Sequence, residues 1–296
     1  AGRYRFAHVF PAHNEEPKYR NPLTAVGVDV GVGDYLLAVD GVELEAGDNP
    51  YRLLRHKRGQ PVELTVAEAP QGERRTVVID PLGSETDLVY LEWVLGNRAK
   101  VEELSDGRVG YIHLPDMGPD GIYEFVKWYY GQIRKPGLVI DVRNNGGGNI
   151  SQMVINRLRN SVLAAGFTRT SDTASTYPWT AYYGHMATIL NEGSASDGDI
   201  FPYMFRQAGL GPLVGKRSWG GVVGITSHGQ LIDGGSVNVR SNVLVYRSRG
   251  SEMEPHVFSM SRRDVLRRIA GTFRLARRDA RLDESVVGAR NIVALW

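Results

Sequence analysis

The fold class of this chain is decided by one stretch, Asn191-Glu192-Gly193-Ser194-Ala195-Ser196-Asp197-Gly198-Asp199. An apolar run at 186–190, long enough for a buried strand, comes before it, and apolar residues at helical spacing follow it. The pattern predicts a strand-to-helix elbow with Ser196 at the helix N-terminus. Backbone N–H groups and the helix dipole can stabilise an oxyanion there. A loop that only caps a helix is the alternative, since Ser and Asp are common N-caps.

Upstream of the elbow, strand and helix patterns alternate. Strands are predicted at 109–114 and 137–143, and helices at 91–105 and 123–133. Such alternation is typical of a largely parallel sheet covered by helices, whose ligands gather at the carboxyl ends of the strands. We therefore expect an α/β fold with a site at that edge.

A glycine run stands where such a site is expected, in Asp141-Val142-Arg143-Asn144-Asn145-Gly146-Gly147-Gly148. Glycines permit positive φ and close approach, leaving N–H groups accessible to a ligand. A phosphate cradle is a weaker interpretation, because no Gly-Lys-Ser/Thr follows. A purely structural glycine turn is the other alternative.

The first 80 residues follow a different pattern, with short strands and turns. Asp40-Gly41 between two apolar runs predicts a hairpin. Asn49-Pro50 predicts the start of a short helix, and strands are predicted at 61–67 and 75–79. This order resembles a PDZ domain of the protease-associated kind, which binds extended peptides. A generic small β-barrel is the alternative.

Composition narrows the class of protein. The chain has 296 residues, 42% hydrophobic and 23% charged, with a formal net charge of +2 and no cysteine. Two domains are expected at this length. The charge indicates neither a nucleic-acid nor a membrane partner, and disulfides, thiol catalysis and Cys-ligated zinc are excluded. The chain begins with Ala1, so we expect a piece of a longer protein.

Together, the glycine run and the elbow resemble the serine peptidases of the tricorn and tail-specific group. That resemblance implies a PDZ-like domain over 1–83 and a crotonase/ClpP-like α/β peptidase core over 84–296, with a divergent tail over 240–296. Tail-specific members carry a catalytic Lys where this chain has Gly221. Lys216 is a conceivable substitute. The run from Gly215 to Ile225 instead resembles the tricorn family.

The tricorn resemblance assigns a role to four residues. It implies Ser196 as nucleophile, the N–H groups of Gly148 and Asp197 as oxyanion donors, and Glu254 as the residue that orients the catalytic machinery. It implies no cofactor and no metal. The family's general base is a histidine upstream of the PDZ unit, before Ala1; among the histidines of this chain, His256 is the best substitute.

The resemblance also implies a cytoplasmic homohexamer that cleaves oligopeptides released by larger proteases. Two alternatives stay open: a peptide-binding and assembly module that is inactive without its base, and a Ser/Lys processing peptidase. Asp172 is the one acidic candidate by type for a specificity pocket in 157–177.

The C-terminal segment departs from the family. Ser261–Asp283 is rich in arginine with interspersed apolar residues, and we expect a basic amphipathic helix there. Its polar face is interpreted as solvated, and nucleic-acid binding is the less favoured alternative. An altered reading frame after about Phe258 would also explain the departure.

Overall fold

The computed structural model describes residues 2–222, 237–247, 256–269 and 272–282. The chain divides into two compact units, Ala1–Gly107 and Arg108–Trp296, called here the N-terminal and C-terminal units. The expected domain boundary after residue 83 stays a prediction. A described helix with the length and apolar character to cross a bilayer is not found.

The N-terminal unit is built on an antiparallel sheet with strands β1 (Tyr4–Arg5), β2 (Tyr35–Val39), β3 (Val42–Glu43), β4 (Val62–Ala67) and β5 (Arg75–Ile79). The order is β1-β2-β4-β5, and β3 pairs with β2. Helix α1 (Pro50–Leu54) precedes β4, and α2 (Thr86–Leu104) follows β5. Alternating apolar residues of the central strands, such as Leu64 and Val66, form the core.

Two local predictions in this unit are confirmed. β2 and β3 form a hairpin through Asp40 and Gly41, which both have positive φ (48° and 76°) as a tight hairpin turn requires. Asn49 caps α1, because its Oδ1 accepts a hydrogen bond from the Tyr51 N–H at 3.0 Å.

The C-terminal unit contains the expected parallel sheet. Its strands are β6 (Val109–His113), β7 (Gly137–Asp141), β10 (His185–Leu190) and β11 (Leu213–Gly215), in the order β11-β10-β7-β6. Helices α3 (Pro119–Tyr129), α4 (Ser151–Leu158) and α5 (Asp197–Gln207) connect or follow them, and a hairpin of β8 (Ala164–Thr168) and β9 (Ser171–Tyr177) precedes β10. All three strand pairings are parallel.

The core of this unit lies between the sheet and its helices. Ile112 and Ile140 are direct register partners in β6 and β7. They are fully buried together with Tyr129 of α3 and with Phe201 and Phe205 of α5. Burial of such side chains is worth about 1.5–3 kcal/mol each, so this core holds the strand ends in place. The predicted α/β fold is confirmed.

The Arg-rich tail is not a helix, and the prediction for Ser261–Asp283 is wrong over its described residues. They lie in an antiparallel sheet of β12 (Val237–Arg247), β13 (His256–Ile269) and β14 (Thr272–Leu282). Asp264 and Arg278 are register partners in this sheet. A helix would separate them by about 21 Å. The helical spacing of the apolar residues was therefore a misleading signal, and antiparallel pairing between consecutive strands decided the structure.

Candidate active site

The predicted elbow is present at the carboxyl end of β10. Ser196 is the N-cap residue of α5, with φ 55° and ψ −120°, and its side chain makes no capping hydrogen bond. Positive φ is uncommon for a residue with a Cβ, and strained serines of this kind expose their hydroxyl on strand-to-helix turns of hydrolases. Ser196 is half-buried, so part of the residue is accessible to solvent.

The elbow packs directly against the glycine run. A Cβ added to Gly147 would lie 2.6 Å from the Ser196 Cβ and 3.0 Å from the Asp197 nitrogen. The Ala195 N–H donates to the Asn145 carbonyl at 2.8 Å. The loops after β7 and β10 are therefore in backbone contact, as expected for the carboxyl ends of neighbouring parallel strands.

The next glycine is held from the other side by the loop after β6. Gly148 has φ +150°, and a Cβ there would lie 1.9 Å from the Met117 carbonyl oxygen. The Met117 N–H donates to the Gly147 carbonyl at 2.8 Å, and its own carbonyl accepts from Asn149 at 2.7 Å. Only glycine fits at position 148, and its place is set by three adjacent loops.

Two backbone donors at this contact are unused. Within the described residues, neither the Gly148 N–H nor the Asp197 N–H has a hydrogen-bond acceptor. Unpaired N–H groups beside a serine on a helix N-terminus can bind an anion that forms on that serine's substrate. Their role as oxyanion donors stays a prediction.

The loops of the site are supported by buried polar side chains. Ser194 is fully buried, and its Oγ donates to the Val142 carbonyl at 2.7 Å. Asn145 is also fully buried; its Oδ1 accepts from Gly147 and its Nδ2 donates to Leu114. Sequence reasoning did not identify either residue as a support. The signal was an Asn and a Ser inside two otherwise small-residue loops.

An ion pair between a buried aspartate and a partly exposed arginine precedes the glycine run in the chain. Asp141 is fully buried at the end of β7, and it accepts from the Arg143 Nε at 2.9 Å and from the Tyr111 hydroxyl at 2.8 Å. The hydrogen bonds that Arg143 donates to Asp141 raise the pKa of Arg143, and burial raises the pKa of Tyr111. Asp141 is thus held by Arg143 of the following loop and by Tyr111 of β6.

Two histidines of the C-terminal unit are unsuited to act as the base. His113 is buried and its Nε2 bonds to the Arg143 carbonyl at 3.0 Å; burial lowers its pKa. His185 is exposed at the amino end of β10, whereas the elbow follows the carboxyl end, roughly 16 Å further along the strand. In the N-terminal unit, His8 pairs with Glu92 and His13 pairs with Glu16.

The side chains of three residues considered for catalysis are not described by the structure. Glu254 lies outside the described residues, as does His228. His256 is the first residue of β13, and its side chain is not described. The assignment of Glu254 therefore stays a prediction.

Lys216 lacks the setting of a catalytic base. Its Nζ pairs with Glu192 at 3.2 Å, and its side chain is 78% exposed. A lysine base requires burial that lowers its pKa. At position 221 an added Cβ would lie 2.0 Å from the Trp219 ring, so any side chain there would displace the indole.

Two further features lie in the N-terminal unit. A groove of about 670 Å³ runs along β1 and the residues after it and along α1, with Tyr4, Phe6, Tyr51 and Leu54 in its wall. Among the described residues, one group could hold a metal ion: His13, Glu15 and Glu16 bring ligand atoms within 4.8 Å of one another. This group belongs to the N-terminal unit, whereas the elbow belongs to the C-terminal unit.

Comparison with known families agrees with this geometry. The model for peptidase family S41 matches residues 108–257, just over half of the chain. The chain belongs to peptidase family S41. The tricorn protease PDZ domain model matches residues 1–84, which places the chain with the tricorn proteases. The predicted family is confirmed.

Individual relatives agree. The chain is 41% identical over 233 residues to tricorn protease homolog 1 of Streptomyces coelicolor, covering 79% of this chain and 22% of the relative. It is 38% identical over 251 residues to the tricorn protease of Thermoplasma acidophilum, covering 85% and 23%. A crystal structure of the tricorn protease superposes with a TM-score of 0.70 at 37% identity, covering 79% of this chain and 23% of that one. The chain spans less than a quarter of each.

The tail gives a different result. The model for the ring hydroxylating beta subunit matches residues 226–289 and overlaps the S41 match over 226–257. Glu254 lies in the overlap. The tail was predicted to depart from the tricorn family. Part of it is similar to the ring hydroxylating beta subunit.

Proposed function

We propose that this chain carries the nucleophile and the oxyanion-binding loops of a serine peptidase that acts through an acyl-enzyme on Ser196. The observation that supports this most is the contact between the strained elbow and the glycine run. It brings the Ser196 hydroxyl and two unpaired N–H groups to one edge of the sheet. In this proposal, the PDZ-like domain over residues 1–83 binds peptide, and residues 84–296 form the peptidase core.

In the proposed reaction, the Ser196 Oγ attacks the carbonyl carbon of the scissile peptide bond. The carbonyl oxygen becomes an oxyanion that the N–H groups of Gly148 and Asp197 bind. Collapse expels the amine and leaves an ester on Ser196, which water then hydrolyses. A general base must take the hydroxyl proton and donate it to the departing amine. By family resemblance this is a histidine upstream of Ala1, oriented with the help of Glu254, so the isolated chain is incomplete.

The proposed substrates are oligopeptides released by larger proteases, cleaved internally, and the proposed assembly is a cytoplasmic homohexamer. The groove of the N-terminal unit supports a peptide ligand, because apolar side chains there face a two-residue edge strand, β1, to which an extended peptide can add. Asp172, exposed on the β8–β9 hairpin, stays a candidate for specificity.

A fluorophosphonate probe tests the proposal. Labelling in the full-length protein should map to Ser196 by mass spectrometry and disappear in both Ser196→Ala and Ser196→Gly, the latter being free of strain at positive φ. Ser105→Ala is the control: labelling of Ser196 should persist, since the Ser105 hydroxyl bonds to the Val101 carbonyl in the N-terminal unit. Labelling that survives the loss of Ser196 would refute the assignment.

A peptide-binding and assembly module is the second candidate function, supported by the same groove in the N-terminal unit. If it is correct, the full-length protein binds peptides but takes no probe at any serine. Replacing Tyr51 in the groove by Ala should weaken peptide binding under either proposal, whereas only the peptidase loses turnover when Ser196 is replaced.

A further inference from the structure

The two loops of the site are joined by a pair of side chains outside the proposed reaction. The Asp197 carboxylate is buried, with 5% exposure, and accepts two hydrogen bonds from Ser151, which is 2% exposed. The Ser151 N–H donates to Oδ2 at 2.9 Å and the Ser151 hydroxyl to Oδ1 at 2.5 Å. Both carboxylate oxygens are thereby engaged by one residue.

Both partners of this contact lie at the start of a helix, next to the loops of the site. Ser151 begins α4, three residues after Gly148, and Asp197 begins α5, directly after Ser196. The carboxylate therefore lies at the N-termini of two helices, where partial positive charge and free N–H groups favour an anion. Hydrogen bonds to a carboxylate are shorter and stronger than neutral ones.

We propose that Ser151 and the Asp197 carboxylate form a clamp that positions the oxyanion donors. This inference rests on the proposed function. One donor is the Asp197 N–H itself, and the other, at Gly148, lies three residues before Ser151. Ser151 is thus a positioning residue: it fixes the distance between the two N–H groups and does not touch the substrate.

The backbone of the site needs such a constraint. Ser196 has positive φ, and a strained conformation of this kind persists only where its surroundings over-determine it. The glycine run has no side chains of its own to hold it. A displacement of about 1 Å at a catalytic group can cost about 100-fold in rate.

Kinetics on the full-length protein test the clamp. Ser151→Ala removes the hydroxyl donor and should lower kcat about 10- to 100-fold with KM within about twofold, because the oxyanion exists only in the transition state. Affinity for a peptide aldehyde, which forms such an oxyanion, should fall by a similar factor. Ser151→Thr keeps the hydroxyl and should recover most of the loss.

Two variants separate positioning from general stability. Ser105→Ala removes a hydroxyl that bonds to the Val101 carbonyl at 2.7 Å in the other unit, and should leave kcat unchanged. Asp197→Asn keeps the backbone donor but weakens the clamp, and should reproduce the kcat defect of Ser151→Ala. Wild-type kcat and aldehyde affinity in Ser151→Ala, with only a lower Tm, would refute the clamp.

A second measurement does not depend on turnover. In Ser151→Ala, amide hydrogen exchange should accelerate in peptides that cover 144–150 and 194–200, but not in the β8–β9 hairpin. Unchanged exchange in both peptides would also overturn the clamp. Failure of the proposed function has a different result, namely turnover that survives in Ser196→Ala.

Discussion

Two sheets of the C-terminal unit hold a buried aspartate in different ways. In the parallel sheet, Asp141 is paired with Arg143, two residues along the chain. In the antiparallel sheet of β12–β14, Asp264 is paired with Arg278 on the neighbouring strand, through hydrogen bonds of 2.8 and 3.0 Å. The first contact needs only a local turn, whereas the second needs the correct register between two strands.

This difference explains where sequence reasoning succeeded. The loops of the parallel sheet carry local signals in the sequence, because glycines and small polar residues permit the positive φ angles and the close backbone approaches that these turns need. The tail has only a periodic pattern of arginines and apolar residues, and this pattern is compatible with a helix or with strands. The activity proposed for the elbow and the glycine run should therefore be sensitive to single backbone changes. The stability of the tail should be sensitive to loss of cross-strand pairs.

The largest expected effect is at Gly148. Gly148→Ala would place a Cβ within 1.9 Å of the Met117 carbonyl oxygen and displace one proposed oxyanion donor. We expect kcat to fall by about 100-fold or more, measured with a peptide substrate on the full-length protein. Gly146→Ala is the matched control, since its Cβ meets nothing within 4 Å. Equal activity of the two variants would show that the close backbone approach at position 148 is not required for activity.

Substitutions in the tail should change the stability of the protein and not its labelling at Ser196. Arg278 lowers the pKa of Asp264, so the ionised pair stabilises the sheet above the ordinary carboxyl pKa of about 3.9, and this contribution is lost as the pH falls through the lowered value. Asp264→Asn should lower Tm at pH 7 and leave Ser196 labelling unchanged. The difference in Tm from wild type should shrink below about pH 4; a constant difference would exclude the ion pair as its cause.

A smaller gain in stability is expected within the parallel sheet. Thr188 of β10 is fully buried, and its Oγ1 has no hydrogen-bond partner in the described part of the chain. Thr188→Val removes this unpaired hydroxyl and should raise the free energy of unfolding by about 1 kcal/mol. Urea denaturation measures the change, and a loss of stability would show that the hydroxyl is satisfied.

The smallest effect is expected at Lys216. Its ammonium group forms an exposed ion pair with Glu192, and such pairs contribute about 0–1 kcal/mol. Lys216→Ala should change kcat by less than about twofold. Loss of activity would instead support the Ser/Lys processing peptidase. It would also show that exposed residues near the elbow matter for activity.

Much of the fold and part of the site could be predicted from the sequence. The elbow at Ser196, the glycine run, the Asp40-Gly41 hairpin and the Asn49 cap are formed by neighbouring residues, so their patterns are local. The Ser151–Asp197 contact joins residues 46 positions apart, and no local pattern distinguishes Ser151 from any other serine at the start of a helix.

The sequence by itself determined the α/β class and the strand-to-helix elbow, because these follow from the spacing of apolar residues and from small residues that permit the turn. The family followed from the resemblance of the motifs to those of the tricorn group. Only the tertiary structure decided that the tail forms strands, and that Asp197 is held by Ser151 while Ser194 is a buried support. Those outcomes depend on which distant segments pack together, and packing is a property of the whole chain.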